Sequence, residues 1–259
     1  MPEERTTSAA FQPTGWWEDF KTAITFLTRL PIGIGGSGDL VRASRFFPLA
    51  GAVVGVIAAI VYMIAIDFGL TALLAGALAI GAGVLVTGAL HEDGLADFAD
   101  GLGVRGGPDA RLVGMRDSHL GVFGALALML GLLLRVGALA ALAEPGEVVP
   151  ALIAAHAGSR ALLPWIMHRE APARVDGLAV AAGRPGGSAG AIALGLGAVI
   201  LLLTEGLLAA FVAALLAAIL ALLLAGLARR RLGGVTGDVL GAIEQTAEVA
   251  ILLALVASR

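Results

Sequence analysis

The sequence predicts an all-α integral membrane protein, a polytopic helical bundle of about seven transmembrane helices with an interfacial helix at its N-terminus. A single membrane domain is expected to occupy residues 1–259. Three observations carry this reading. Apolar residues fill 58% of 259 positions and charged residues only 14%, where a soluble domain carries about 25% charged. Mean hydropathy is +0.93. Several apolar runs approach the roughly 20 residues that a helix needs to cross a bilayer. Cysteine is absent, which excludes disulfides, thiolate chemistry and cysteine metal sites. The net charge of −3 says less than the placement of the charges, and no nucleic-acid partner is expected.

In chain order, residues 1–20 read as a flexible N-terminal segment. Two acids precede Arg5 and no apolar core follows, so a cleaved signal peptide is not expected. Trp16, Trp17 and Phe20 beside Glu18, Asp19 and Lys21 suggest an interfacial helix. "RLPIGIGGSGDL" (29–40) is a turn-rich loop, because Pro and Gly interrupt helices. The expected spans are 47–66, 70–90, 121–143, 148–167, 189–203, 207–228 and 239–257, the fifth short and glycine-rich. With the N-terminus inside, the cytoplasmic pieces 1–46, 91–120, 168–188 and 229–238 hold fourteen of the seventeen Lys and Arg. The loops near Asp67, Glu144–Glu147 and Glu205 hold none. This asymmetry places the acid-rich stretches on the cytoplasmic side, with the C-terminus outside if all seven spans cross.

The stretch "ALHEDGLADFADGLG" (89–103) ends the uncharged run Leu70–Leu90 with His91, Glu92, Asp93, Asp97 and Asp100. Asp93, Asp97 and Asp100 are spaced i, i+4, i+7 and share one helix face. Carboxylates so placed repel unless a cation lies between them, and Mg²⁺ takes oxygen ligands that it shares with substrate phosphates. Gly94 and Gly101 among the acids imply close backbone approach. A second acidic cluster, Asp238, Glu244 and Glu248, begins and enters the last span. Charges within a span usually face a cavity or a partner.

Arginines complement these acids. Arg42, Arg45, Arg116 and Arg135, with His119, are candidates for gripping phosphate, since the guanidinium fork makes paired charge-assisted hydrogen bonds. His156 and Arg160, at i, i+4 in the fourth span, form a candidate intramembrane polar pair. Arg229–Arg231 reads as a topology anchor, Arg105, Arg169 and Arg174 as a solvated face, and His168 as an interfacial side chain. "GIGGSG" (33–38) lacks the Lys-Ser/Thr of a phosphate loop, and no dinucleotide fingerprint or nucleophile elbow is present. Acids and arginines at one membrane face without a nucleotide fold point to metal-assisted phosphoryl transfer on a membrane-held substrate.

"FLTRLPIG" (26–33), "RASRFFPLAGAVVG" (42–55), "TGALHEDGLADFADGLG" (87–103), "MRDSHLGVFG" (115–124) and "GGVTGDVLGAIEQTAE" (233–248) resemble the cobalamin synthase family, the adenosylcobinamide-GDP ribazoletransferases. The resemblance runs from about residue 20 to the C-terminus. It implies an Mg²⁺-dependent transferase that joins adenosylcobinamide-GDP to α-ribazole or its 5′-phosphate, giving adenosylcobalamin or its 5′-phosphate and GMP. Applied to these residues, Glu92, Asp93, Asp97 and Asp100 are the expected metal ligands. His91 is the first candidate for the base that takes the ribose proton, with Asp93 and Asp97 in catalysis. Asp238, Glu244 and Glu248 would close the metal site or bind ribazole. Association with the bilayer, with a second copy or with other cobalamin-assembly enzymes is the expected partnership. A cation- or proton-coupled transporter is the alternative, since it also keeps acids in membrane helices. A paired-aspartate polyprenyl transferase is a third reading, and a scaffold leaves the acids unexplained.

Overall fold

The computed structural model describes residues 15–32, 39–177, 180 and 182–259. Its helices are α1 (Trp16–Leu27), α2 (Leu40–Ala43), α3 (Phe47–Asp67), α4 (Ala72–Thr87), α5 (Leu90–Gly103), α6 (Pro108–Gly114), α7 (Val122–Leu142), α8 (Pro145–Arg169), α9 (Gly187–Glu205), α10 (Leu207–Leu232) and α11 (Gly237–Ala257). Each expected span is a helix, and the glycine-rich fifth reaches 19 residues. The interfacial helix is present as α1, so Trp16–Phe20 are helical where a flexible segment was expected. The "GIGGSG" stretch lies outside the described residues.

By length and hydropathy alone, fewer than the expected seven spans qualify. Among the described residues five helices are long and apolar enough to cross a membrane, and six if α4 and α5, bent by 90°, count as one broken span. Helix α8 is 25 residues long but carries His156, Ser159, Arg160 and two internal prolines. Those polar side chains lower its hydropathy, and they are buried because α8 sits inside the bundle against α3, α9 and α11.

Small residues set the packing. On α3, a Cβ at Gly55 would lie 2.7 Å from the Ile153 Cα of α8. Only hydrogen at Gly51 and Gly55 lets these backbones approach, as in other small-xxx-small membrane contacts. Helix α10 buries Ala210, Ala213, Ala217, Ala221, Ala225 and Ala228 in one stripe and packs on α11. Its opposite side exposes Leu208, Phe211, Leu215, Leu222 and Leu223. Exposed apolar surface on this scale suits lipid rather than water.

Polar contacts define two ends of the bundle. At one end Arg259 reaches Glu147 at 2.7 Å and Glu205 at 3.9 Å, and the Tyr62 hydroxyl donates to the Ala143 carbonyl at 2.5 Å. At the other end Arg229 pairs with Glu170 at 3.0 Å, and the 171–173 segment exchanges backbone hydrogen bonds with Val235. The N-terminal end of α11 belongs to this second end.

Candidate active site

The site begins at the bend between α4 and α5. Helix α4 closes on Gly88 and Ala89, both left-handed at φ 66° and 59°, whose N–H groups donate back to Leu85 and Val84. Left-handed backbone is natural for glycine and costs a residue with a Cβ roughly 1–2 kcal/mol. The Arg29 side chain lies against Gly88 where a Cβ would stand. The bend turns α5 across the bundle, so its acids meet the start of α11 instead of continuing the apolar run.

Helices α5 and α11 cross at Gly94 and Gly241. A Cβ on Gly94 would stand 3.0 Å from the Asp238 Cα, and one on Gly241 would stand 3.0 Å from the His91 carbonyl. This close approach joins the two acid clusters of the sequence. Asp97 lies within electrostatic reach of Asp93, Asp238 and Asp100. Asp93 is exposed and Asp97 half-buried, and neither has a hydrogen-bond or ion-pair partner among the described residues. Asp238 sits 3.5 Å from Arg174, and the Thr236 hydroxyl donates to it at 3.2 Å.

Two hollows flank these carboxylates. A cleft of about 540 Å³ is bordered by Glu92, Asp93, Asp97, Arg116, Asp117 and His119. An apolar pocket between α1, α3, α5, α8 and α11 has Asp93, Asp238 and His91 in its wall. Asp93 borders both.

Beneath the cleft lies a buried ionic network. Arg135 reaches Glu92 at 3.1 Å and Glu248 at 3.3 Å. His156 Nδ1 lies 3.1 Å from Glu248, and Arg160 pairs with Glu244 at 2.6 Å. The Ser159 hydroxyl and the Gln245 amide donate to Glu244 at 2.8 and 2.9 Å. His91 Nδ1 accepts from Arg160 at 3.4 Å and is 3.7 Å from Glu244, too far for a hydrogen bond. All these residues are buried. His156, Glu244 and Glu248 offer ligand atoms within 4.8 Å of one another. Arg160 and Arg135 already supply their counter-charge, so this trio reads as part of the network.

Several expected site residues are held elsewhere. Asp100 accepts the backbone N–H groups of Gly121 (2.7 Å) and Gly124 (2.9 Å), capping α7. Glu92 is committed to Arg135. Arg42 and Arg45 converge on the buried Asp19 of α1, Arg42 through Nε at 3.0 Å to both oxygens. Arg135 lies inside the network rather than on a phosphate surface. Arg116 remains at the cleft, 2.5 Å from the exposed Asp176. His119 is exposed, and its ring and backbone N–H hold the Asp117 carboxyl below the usual range. Arg174, expected on a solvated face, is instead half-buried beside Asp238 and donates to the Leu112 carbonyl at 3.1 Å. His168 Nδ1 donates to the Pro185 carbonyl oxygen at 2.9 Å.

The sequence profile of the cobalamin-5-phosphate synthase family matches residues 19–256. The chain belongs to this family. Among curated relatives, the adenosylcobinamide-GDP ribazoletransferase of Bradyrhizobium diazoefficiens is 47% identical over 91% of this chain and 92% of its own. The enzymes of the same name from Sinorhizobium medicae and Mesorhizobium japonicum are 42% and 43% identical, covering 93% and 91% of the chain and 96% and 92% of theirs. No solved structure matches. In this member of the cobalamin-5-phosphate synthase family, the matched region includes α5, the α5–α7 connection and α7, which together build the cleft, and α11, which crosses α5 beside it. Gly121 and Gly124 were missed as site-forming residues, although "SHLGVFG" carries them. Asp19 was missed because an acid in an amphipathic helix reads as a solvated one.

Proposed function

We propose that the cleft at α5 is where this family member joins adenosylcobinamide-GDP to α-ribazole, or its 5′-phosphate, with release of GMP. The observation that carries the reading is the pair Asp93 and Asp97, one helical turn apart on the cleft wall and without a salt bridge or side-chain hydrogen bond among the described residues, Arg174 acting on Asp97 only from a distance. Two unpaired carboxylates suit Mg²⁺, which is commonly held by one or two carboxylates plus substrate phosphates. Asp93 and Asp97 would hold the ion. When bound it would supply neutralisation of the charge that develops on the pyrophosphate.

The remaining roles follow from position. Arg116 and His119 border the cleft and would contact phosphate oxygens. Arg174 would do so from beside Asp238. In the reaction a ribazole hydroxyl oxygen bonds to phosphorus, the bond between the two phosphates breaks and GMP leaves. The hydroxyl proton needs an acceptor. Arg160 donating to His91 Nδ1 leaves the imidazole hydrogen on Nε2, which makes neutral His91 a donor toward the pocket. Asp238 therefore takes the base role in this reading. The basic residues gathered at the same end of the bundle would turn the cleft to the cytoplasm of a bacterial inner membrane.

Purified protein should release GMP from adenosylcobinamide-GDP only when α-ribazole or its phosphate is present. Asp97→Asn should lower that release at least 100-fold at limiting Mg²⁺ while keeping the wild-type melting temperature in detergent. Wild-type release by Asp97→Asn across an Mg²⁺ titration would refute the metal assignment. Substrate flux into proteoliposomes without GMP would favour the transporter.

A further inference from the structure

The phosphate chemistry uses the cleft face of α5 and the start of α11, and leaves two arginines buried beneath them without a role. Arg135 of α7 donates to Glu92 of α5 at 3.1 Å and to Glu248 of α11 at 3.3 Å. Arg160 of α8 pairs with Glu244 of α11 at 2.6 Å and donates to His91 Nδ1 of α5 at 3.4 Å. Each guanidinium therefore bridges α5 to α11, and the two residues are only 3% and 1% exposed. His91 and Glu92 are neighbours about 100° apart around α5, so they leave the helix toward different arginines. Glu244 and Glu248, one turn apart on α11, receive the same two arginines in the same order.

We propose that Arg135 and Arg160 are positioning residues: together they hold α5 against α11 and so set Asp238 opposite Asp93 and Asp97, a proposal that rests on the reaction assigned to the cleft. Glycine fixes how closely the two helices come, since a Cβ at Gly94 would stand 3.0 Å from the Asp238 Cα. Room for close approach does not by itself hold them there. Lipid tails are as apolar as leucine, so helices in a bilayer are joined by packing and interhelical hydrogen bonds. The two bridges supply charge-assisted bonds of that kind. Their place along α11 gives them leverage. The order there is Asp238, Gly241, Glu244 and Glu248, so the crossing lies between the site carboxylate and the bridged acids. Loosening the bridges lets α11 tilt about the crossing and carries Asp238 away from α5. Asp93 and Asp97 share one helix, so their mutual spacing is independent of the bridges. Asp100 differs again: it bonds only backbone at the start of α7 and sets no distance between α5 and α11.

Arg135→Lys and Arg160→Lys test this in the purified full-length protein in detergent, because each keeps the charge but replaces the rigid fork with a flexible ammonium. Each should lower kcat for GMP release by about tenfold or more, since a displacement of roughly 1 Å can cost about 10²-fold. Mn²⁺ affinity, read by electron paramagnetic resonance with the metal alone, should stay at the wild-type value. Arg259→Gln is the structural comparison, because it removes the ion pairs with Glu147 and Glu205 at the opposite end of the bundle. It should lower the melting temperature and keep the wild-type kcat. Arg160→Gln combined with Glu244→Gln removes one bridge as a charge-balanced pair, which guards against a folding failure, and its kcat should fall as far. Wild-type kcat in the lysine variants, or in the paired variant, overturns the positioning role. A parallel loss of Mn²⁺ affinity overturns it as well, because the arginines would then act on the metal carboxylates. Asp238→Asn separates the bridges from the reaction. Wild-type kcat in Asp238→Asn with a fall in the arginine variants overturns the base role and leaves the bridges standing. A fall in Asp238→Asn alone overturns the bridges and leaves the base role standing.

Discussion

Asp100 and Asp97 are the same residue type on the same helix, yet they have different work. Asp100 accepts two N–H groups at the start of α7, where the amides of a helix end lack intrahelical partners. Loss of a side-chain cap typically costs about 0.5–2 kcal/mol. Asp100→Ala should therefore lower the melting temperature in detergent while leaving the apparent Mg²⁺ affinity within twofold. A tenfold weaker Mg²⁺ dependence at an unchanged melting temperature would return Asp100 to the metal site. Spacing made Asp93, Asp97 and Asp100 equivalent, and only the fold separates them. The separating signal lies twenty residues away, in Gly121 and Gly124, whose missing Cβ atoms leave room for the Asp100 carboxylate. Arg42 and Arg45 show the same limit. Their type was right for phosphate, but the Asp19 that claims them stands on another helix.

Helices were legible because apolar runs of bilayer length leave few alternatives. The bend inside one of them was not. "VTGALHED" reads as an apolar run entering an acidic helix, and two consecutive left-handed residues at Gly88 and Ala89 redirect it. That bend brings α5 against α11 through Gly94 and Gly241, and this crossing joins two acid clusters that the sequence keeps some 140 residues apart. Gly94→Ala would place a Cβ 3.0 Å from both the Asp238 Cα and its carbonyl oxygen, and backbone atoms cannot swing aside as a flexible side chain can. The helices must separate by a few tenths of an ångström, which moves Asp238 relative to Asp93. GMP release should fall at least tenfold in Gly94→Ala. Gly81→Ala in α4 is the matched control, since a Cβ there meets nothing within 4 Å. It should keep wild-type activity and gain about 0.5–1 kcal/mol of helix stability. Equal activity in both variants would show that the crossing does not position the site.

For the molecule as a whole, hydropathy alone undercounts the crossings because the central helix α8 is the polar one. His156, Ser159 and Arg160 lower its hydropathy, and the same side chains knit it to α5, α7 and α11 through Glu244 and Glu248. Breaking a buried ion pair by removing one partner costs about 3–5 kcal/mol, so these residues are retained in the bundle core as a set. The path of α8 follows from what its ends touch. Its start lies with Glu147 beside Arg259, and its end lies with Glu170 beside Arg229, the opposite end of the bundle. Helix α8 therefore traverses the bundle, despite its hydropathy. Side-selective labelling checks this, and the absence of native cysteine makes each introduced thiol unique. Gly146→Cys lies in the first turn of α8 and Gly186→Cys just before α9, past the other end of α8, and a Cβ at either position meets nothing closer than 3.8 Å. In intact cells an impermeant thiol reagent should label Gly146→Cys and spare Gly186→Cys until the membrane is opened. Labelling of both from outside would mean that α8 does not cross. Labelling of Gly186→Cys alone would invert the bundle and turn Asp93 and Asp97 away from the cytoplasm.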